Sequence, residues 1–335
     1  MIGASARRRV LPAVAALGIL LRCAAAIAQE AEERVVPNWV PSVGFGFGIQ
    51  SREINGNIDA ILFTNQTGQP PSVTIPCQTQ NPPHNPNLPP FVGFCDLGGA
   101  ENRASDGAAF DLSGQILGPP WKSAPWKLRP RPFVHGGFAF EYDSRTIVEV
   151  GISPSSFENA ALEPLAHTRL RANPNWIGYA GGGVALQLPI EFTPVFLKLG
   201  AVYTEEQLDA VGTVDRGIAG TQCPNPLIPC IDTLSNDRTD ALKIHGIGPS
   251  IGIEAEVWRF GPIALQAVAD LLVSFPLSGD KTSFDLDQPS QPGDPPSCVT
   301  NPTAAPCVSP AHFDFKADNP SFFGVASLRF GWVGY

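Results

Sequence analysis

Residues 43–49 have the sequence VGFGFGI, in which every second residue is large and apolar and the residues between them are glycines. The same period of two returns in IALQAVADLLVSF at 263–275, where Gln266 and Asp270 lie on the face opposite the apolar one. Such an alternation places apolar and polar or small side chains on opposite faces of a β-strand. The pattern predicts an all-β protein.

Eight stretches of the chain show this period, and no segment after residue 28 holds a convincing helical period. The predicted strands are residues 39–50, 106–117, 132–142, 176–190, 194–204, 243–257, 262–275 and 321–335. Residues 146–152 (TIVEVGI) also alternate, so a ring of ten strands remains an alternative to one of eight.

The connections between the predicted strands alternate between long and short without exception. The long ones are residues 51–105, 143–175, 205–242 and 276–320, and the short ones are 118–131, 191–193 and 258–261. Long loops at one end and short turns at the other are typical of transmembrane β-barrels. The sequence therefore predicts a closed antiparallel up-and-down transmembrane barrel of about eight strands.

The first 28 residues have the features of a secretory signal peptide. Three arginines at 7–9 precede an apolar run at 10–21, and Ala26-Ile27-Ala28 supplies a small-residue cleavage site. The predicted organisation is a signal peptide at 1–28, a periplasmic segment at 29–37 and an outer-membrane barrel at 38–335.

The chain has seven cysteines, and Cys23 lies in the predicted signal peptide. The other six form three close pairs, and each pair lies within one long, proline-rich connection. An exported chain meets an oxidising compartment in which disulfides persist. Six cysteines allow about 15 connectivities, of which local pairing is favoured. The predicted disulfides, which would brace the extracellular loops, join Cys77 to Cys95, Cys223 to Cys230 and Cys298 to Cys307.

With these features the chain resembles the small outer-membrane β-barrel proteins of Gram-negative bacteria, a group that includes the OmpA membrane domain and OmpX. The resemblance covers residues 38–335 and rests on architecture. It implies outer-membrane lipid and lipopolysaccharide as surroundings, the barrel assembly machinery as a partner during biogenesis, and a monomer. The assembly machinery commonly recognises a terminal aromatic residue, and here the end is LRFGWVGY, with Tyr335 out of phase with Phe330 and Trp332.

The polar faces of the strands should point into the barrel, which at eight strands is just wide enough to be filled by side chains. Lys198, Glu254, Asp270 and Arg329 fall on four consecutive strands and are expected to meet. We expect a structural polar core, with a narrow ion path as the alternative. The candidate residues of this core are His135, Glu141, Lys198, Glu254, Asp270 and Arg329.

Aromatic residues fall near both ends of the predicted strands, where membrane proteins carry aromatic girdles. The loop-side set is Trp39, Tyr142, Trp176, Tyr203, Phe275 and Phe322. The turn-side set is Trp121, Trp126, Phe192, Trp258, Phe260 and Trp332.

No common catalytic or nucleotide-binding motif occurs, so the sequence predicts neither an enzyme nor a cofactor or metal site. The formal charge of −9 becomes −13 without the arginines of residues 1–28, which argues against nucleic acid as a partner. We expect an outer-membrane barrel with a structural or surface-interaction role. The alternatives are a narrow passive channel, a lipid-modifying barrel enzyme and a soluble secreted β-barrel binder.

Overall fold

The computed structural model describes most of the predicted barrel. The described residues are 39–65, 92–96, 99–121, 129–143, 150–152, 166–190, 193–219, 231–290, 296–303, 307 and 309–333. The predicted signal peptide, the segment 29–37 and Tyr335 lie outside them. Among the described residues, no helix is long and apolar enough to cross a membrane.

All regular structure in the described part of the chain is β-strand. The strands are Val40–Asp59 (β1), Ile61–Asn65 (β2), Val92–Asp96 (β3), Gly99–Leu117 (β4), Arg129–Asp143 (β5), Val150–Ile152 (β6), Ala166–Leu188 (β7), Val195–Ala219 (β8), Ile231–Phe260 (β9), Ile263–Ser278 (β10), Lys281–Leu286 (β11), Ala311–Lys316 (β12) and Ser321–Trp332 (β13).

Eight of these strands form a closed antiparallel ring in the order β1-β4-β5-β7-β8-β9-β10-β13. Closure occurs at β1, which pairs with β13 on one side and β4 on the other. Phe45, for example, lies opposite Leu328 of β13 and opposite Leu112 of β4. The ring therefore has no free edge, and the predicted up-and-down barrel of eight strands is confirmed.

Each predicted strand overlaps one strand of the ring; the first seven are longer than predicted, and β13 ends at Trp332, before the predicted end at residue 335. β8 and β9 continue through residues 205–219 and 231–242, most of a connection that the sequence predicted to be a loop. That prediction was wrong because the alternation does not stop at Tyr203. It continues with the polarity of the two faces exchanged.

The described part of the alternating stretch at 146–152 does not add a strand to the ring. This part is β6, three residues that pair only with β7 beside Leu170. The short connection between β9 and β10 is a tight turn at Gly261 and Pro262. Gly261 has a φ of 56°, in the left-handed region that glycine adopts without strain.

Beyond the ring, the strands continue as two facing sheets. One sheet has the order β11-β12-β1-β4, and the other has the order β6-β7-β8-β9. Ladder pairing between β9 and β10 ends at His245 and Ser278, and pairing between β4 and β5 ends at Ala108 and Asp143. We call this region, on the side of the long connections, the upper sandwich.

An apolar core fills the upper sandwich, and both sheets contribute to it. Phe284 and Phe313 stack with their ring centroids 5.3 Å apart. The sheets approach closely, since a Cβ at Gly212 of β8 would lie 2.6 Å from the Phe284 ring. The buried members include Ile54, Ile58, Leu170, Ala172, Leu208, Ala210, Val214, Leu242, Ile244, Phe284, Leu286, Ala311, Phe313, Phe315 and Ala317.

Side chains, and not a backbone ladder, bridge β9 to β11 in the described upper sandwich. The Arg238 guanidinium donates to the Asp285 carbonyl at 3.0 Å, and the Asn236 amide donates to the Asp287 carbonyl at 2.9 Å. These contacts satisfy acceptors on the edge of β11. An unpaired edge of this kind would otherwise be open to pairing with other chains.

Replacing Phe313 by alanine tests the upper sandwich as a folded unit. Phe313 is fully buried, so F313A should lower the free energy of unfolding by about 3–5 kcal/mol. The outward K316A on the same strand should change it by no more than about 0.5 kcal/mol. Urea unfolding of the protein in detergent micelles measures both. Equal, small effects would mean that residues 311–316 belong to a loop without a core.

Candidate functional site

The outward wall of the ring is an apolar band. On β1, the outward side chains Val43, Phe45, Phe47 and Ile49 are 45–67% exposed. Large apolar side chains also face outward on β10, where Ile263, Leu271 and Phe275 are 39–50% exposed, and on the other ring strands, although those of β7, such as Val184 and Leu186, are only partly exposed. Large apolar side chains therefore surround the whole ring.

The interior of the ring contains an ion-pair network. Lys198 Nζ lies 2.8 Å from Asp270 Oδ1 and 3.7 Å from Glu254 Oε2, and Arg329 Nη2 lies 3.1 Å from Asp270 Oδ2. Lys198 and Arg329 are 2% and 0% exposed. The four residues expected to meet are thus brought together by the structure.

Gln115, from the opposite side of the ring, joins this network. Its amide oxygen accepts from Lys198 Nζ at 3.1 Å and from Arg329 Nη1 at 3.0 Å. Its amide nitrogen donates to Glu254 at 2.7 Å. Gln115 therefore links both cations to a carboxylate across the ring interior.

Glycines make room for the network. Lys198, Gly252 and Asp270 lie side by side on β8, β9 and β10. A Cβ at Gly252 would lie 1.9 Å from the Asp270 carboxylate and 3.0 Å from Lys198 Cε. A Cβ at Gly44 would lie 2.6 Å from Cγ of Arg329. The small inward residues in the sequence pattern therefore leave room for the long charged side chains of neighbouring strands.

Among the predicted core residues whose side chains are described, His135 does not join the ion pairs. His135 is buried with its ring edge-on to Phe133 and Tyr179, and neither ring nitrogen has a hydrogen-bond partner among the described residues. His135 is therefore buried in the ring interior, as expected, but lies outside the ion-pair network. The side chain of Glu141 lies outside the described residues.

Apolar layers close the polar interior above and below. Along β8 the inward residues are, in order from the turns, Phe196, Lys198, Val202, Glu206 and Leu208. The layer at the turn side consists of Val40, Leu117, Phe133, Ala185, Phe196, Ala264 and Val333. The layer above the ion pairs contains Ala109, Ala139, Ile177, Tyr179, Val202, Leu272, Phe323 and Val325.

A second buried ion pair lies between the ring and the upper sandwich. Arg52 of β1 pairs across the interior with Glu206 of β8, with Nη2 2.7 Å from Oε2. Arg52 Nη1 also donates to the carbonyl of Ala317 at 2.6 Å, and Gln50 donates to Glu206. These contacts connect β1 and β8, which lie on opposite sides of the interior, to the segment between β12 and β13.

The two faces of the strands exchange polarity at the level of this pair. On β8, the outward series Leu197, Leu199, Ala201 and Tyr203 is followed by Glu205, Gln207 and Asp209. On β1, outward Ile49 is followed by Ser51, Glu53 and Asn55 while inward Arg52 is followed by Ile54. The ring is apolar outside and polar inside, and the upper sandwich is polar outside and apolar inside.

Sequence reasoning missed Arg52 and Glu206 because both lie in stretches that were assigned to loops. Their signal was available, since inward Leu208 and Ala210 continue the two-residue period beyond Glu206. The sequence-based prediction that Trp39 lies at the loop side was also wrong. The chain enters the ring from the turn side, where Val40 pairs with Leu117.

Aromatic side chains otherwise mark the edges of the apolar band where their positions are described. Tyr203 stands at the sandwich side and bonds His245 Nδ1 at 2.7 Å, and Trp176 donates to Gln207 at 2.9 Å. Exposed aromatic residues at the turn side are Trp39, Trp121, Trp258, Phe260 and Trp332.

One of the three predicted disulfides lies within the described residues and is present. Cys298 and Cys307 are bonded, with a Cα–Cα distance of 5.0 Å. Cys77, Cys223 and Cys230 lie outside the described residues, as does the side chain of Cys95. Those two pairings stay predictions.

His312 in the upper sandwich is flanked by carboxylates. Its Nδ1 lies 2.7 Å from Asp285 Oδ1 and its Nε2 lies 3.5 Å from Asp314 Oδ1. The hydrogen bond to Asp285 raises the pKa of the imidazole above its ordinary value, because it favours the protonated form. Within the part of the chain that is described, no three metal-ligating side chains are grouped as a metal site.

Comparison with known proteins identifies no family. No family model matches the chain, and no curated protein matches it. Among solved structures, the outer membrane protease OmpT from Escherichia coli shares 7% identity over 90% of this chain and 100% of its own, with a TM-score of 0.18. The type IV competence pilus secretin PilQ of V. cholerae shares 9% identity over 90% of this chain and 62% of its own, with a TM-score of 0.14. At such scores the function must be argued from the geometry above.

The space at Gly252 can be tested with a matched glycine. G252A should displace Asp270 from Lys198 and lower the free energy of unfolding by about 2–4 kcal/mol, since it disturbs a buried ion pair. A Cβ at Gly324 would meet nothing within 4 Å, so G324A should change stability by less than about 0.5 kcal/mol. Urea titrations in micelles, followed by tryptophan fluorescence, measure both. A tolerated G252A would show that the two side chains do not need this space.

The flanked histidine should titrate at a pH above 6.5, its ordinary pKa. D285N removes the hydrogen-bonded carboxylate and should lower the pKa of His312, whereas the exposed D237N should leave it unchanged. Histidine NMR spectra recorded against pH measure these values. Because the folded-state pKa is raised, the stabilisation from this contact should be present below pH 6.5 and be lost as pH rises through the folded value. An unshifted pKa in the unmodified protein would contradict the contact.

Proposed function

We propose that this chain is an exported outer-membrane barrel protein of Gram-negative bacteria with a structural or surface-interaction role. The ring spans the membrane, and the upper sandwich with its disulfide-braced connections stands outside the cell. The proposal assigns no enzymatic activity and no cofactor. It assumes removal of residues 1–28 as a signal peptide.

The exchange of polarity between ring and upper sandwich is the observation that carries this proposal. In water, a continuous belt of outward Val, Phe, Ile and Leu would be an aggregation surface. In lipid it is the favourable surface, provided that every backbone group is paired, and a closed ring meets that condition. The upper sandwich has the opposite arrangement, which is that of a protein in water.

The height of the apolar belt fits a bilayer. On β10, outward apolar residues run from Ile263 to Phe275, and on the β1 side they run over 11 positions from Trp39 to Ile49. A tilted strand needs about 9–11 residues to cross the hydrocarbon core. Tyr203 and Trp176 at one edge and Trp258 and Trp332 at the other lie where amphipathic rings favour the headgroup level.

The filled interior favours a plugged barrel over the alternative of a channel. Lys198 and Arg329 occupy the middle of the ring, and Phe196 and Phe323 belong to apolar layers below and above them. The pair of Arg52 and Glu206 adds a further closure towards the upper sandwich. A water-filled path would have to displace all of these layers.

The closed ring also supports a monomer, because within the ring itself the described strands offer no unpaired edge to a second copy. Insertion by the barrel assembly machinery and surroundings of lipid and lipopolysaccharide belong to the same proposal. The net negative charge of the mature chain supports the absence of nucleic acid among its partners.

Two cysteine variants on β1 test the membrane placement. F47C and E53C both point outward, six residues apart, on opposite sides of the polarity exchange. After labelling with an environment-sensitive dye and reconstitution into vesicles, the dye at 47 should emit at shorter wavelength and be quenched by brominated acyl chains. The dye at 53 should behave as if in water.

The same samples give the control for insertion. The folded protein should float with the vesicles and migrate faster on gels before boiling than after it. A protein that stays in solution, or equal quenching at both positions, would overturn the membrane placement and favour a soluble secreted binder.

A further inference from the structure

Three lysines stand on one side of the upper sandwich, close to where it meets the apolar belt. Lys243, Lys281 and Lys316 are exposed and point outward from β9, β11 and β12. Outward carboxylates occupy the comparable stretches of other strands, including Glu53, Asp106 and Glu205. Arg169 and Arg171 point outward from β7, so the three lysines form a separate group of positive side chains on the side of β9, β11 and β12.

Two of these lysines are direct cross-strand neighbours. Lys281 pairs in register with Lys316, so both side chains leave the same face side by side. Like charges placed directly opposite each other in a sheet are destabilising. Lys243 lies next to them, since a Cβ at Gly279, two residues before Lys281, would lie 1.8 Å from the Lys243 carbonyl oxygen.

No carboxylate among the described residues forms an ion pair with any of the three lysines. The acids two positions before and after Lys316 already have other contacts. Asp314 lies 3.5 Å from the His312 imidazole, and Asp318 accepts from the Asn55 amide at 3.3 Å. No described carboxylate therefore offsets the repulsion between the Lys281 and Lys316 ammonium groups, so the compensating negative charge has to come from outside the chain.

The lysines lie at the height of lipid headgroups if the ring spans a bilayer. Lys243 is four residues above outward Ile247, and Lys281 is four residues above outward Leu277. Four residues span about 13 Å along a strand, or about 10 Å of height at a tilt of roughly 40°. The headgroup layer begins directly above the hydrocarbon core.

We propose that Lys243, Lys281 and Lys316 bind phosphate groups of the outer-leaflet lipids that surround the ring. Phosphate oxygens supply the negative charge that the lysine pair lacks, and each ammonium can donate to them. The inference rests on the membrane placement proposed above and adds a preferred class of lipid and the sector of the wall that selects it.

The test compares lipid selectivity among variants in phosphatidylcholine vesicles. Spin-labelled phosphatidic acid and spin-labelled phosphatidylcholine are added in turn, and electron paramagnetic resonance gives the fraction of each that is immobilised by the protein. The unmodified protein should prefer phosphatidic acid by about threefold to tenfold at low salt. K243Q/K281Q/K316Q should reduce the preference to near one, and K243R/K281R/K316R should retain it.

The outcomes separate this inference from the membrane placement. If all three proteins float with vesicles and immobilise phosphatidylcholine, but none prefers phosphatidic acid, the lysine inference fails and the placement stands. A preference that survives in the glutamine variant would assign it to other residues and also overturn the inference. If the unmodified protein immobilises neither lipid, the membrane placement itself fails, and the lysine inference fails with it.

Discussion

Closure of the backbone ladder at β1 is the constraint on which the rest of the structure depends. Because β1 pairs with both β13 and β4, every residue of the ring has only two directions available, inward or outward. Phe45 must then face outward and Gly44 inward, and a shift by one residue would exchange all such positions at once. The apolar belt and the polar interior follow from the closed ladder and the two-residue period together.

Inside the ring, charge and space are matched to each other. Lys198 and Arg329 need their long side chains to reach the Asp270 carboxylate, and Gly252 and Gly44 leave them the room. A buried ion network of this kind is weak evidence for stability, because desolvation opposes the attraction between the charges. Removing only one partner leaves a buried charge unpaired and lowers the stability of the fold. The glycines and the charged residues therefore depend on one another.

The sequence was sufficient for the ring and for the meeting of Lys198, Glu254, Asp270 and Arg329, because period and strand order determine both. It was not sufficient for the upper sandwich. Leu208 and Ala210 alternate as regularly as Leu197 and Leu199, but with the apolar face turned inward, so a search for outward apolar series alone ends at Tyr203. The packing of His135 against Phe133 and Tyr179 could not be predicted either, since it depends on which neighbours reach its ring.

The uninterrupted course of β8 and β9 from ring into upper sandwich has a mechanical consequence. β9 runs for 30 residues, about 100 Å of extended chain, and shares its ladder with β8 from Val195 and Ala255 to Ala219 and Ile231. Between the two regions these strands contain no linker that could act as a pivot, and Arg52 fastens the opposite wall at the same height. Ala219 and Ile231, the outer ends of the shared ladder, are consequently held at a fixed distance from the ring, as by a rigid post and not by a tether.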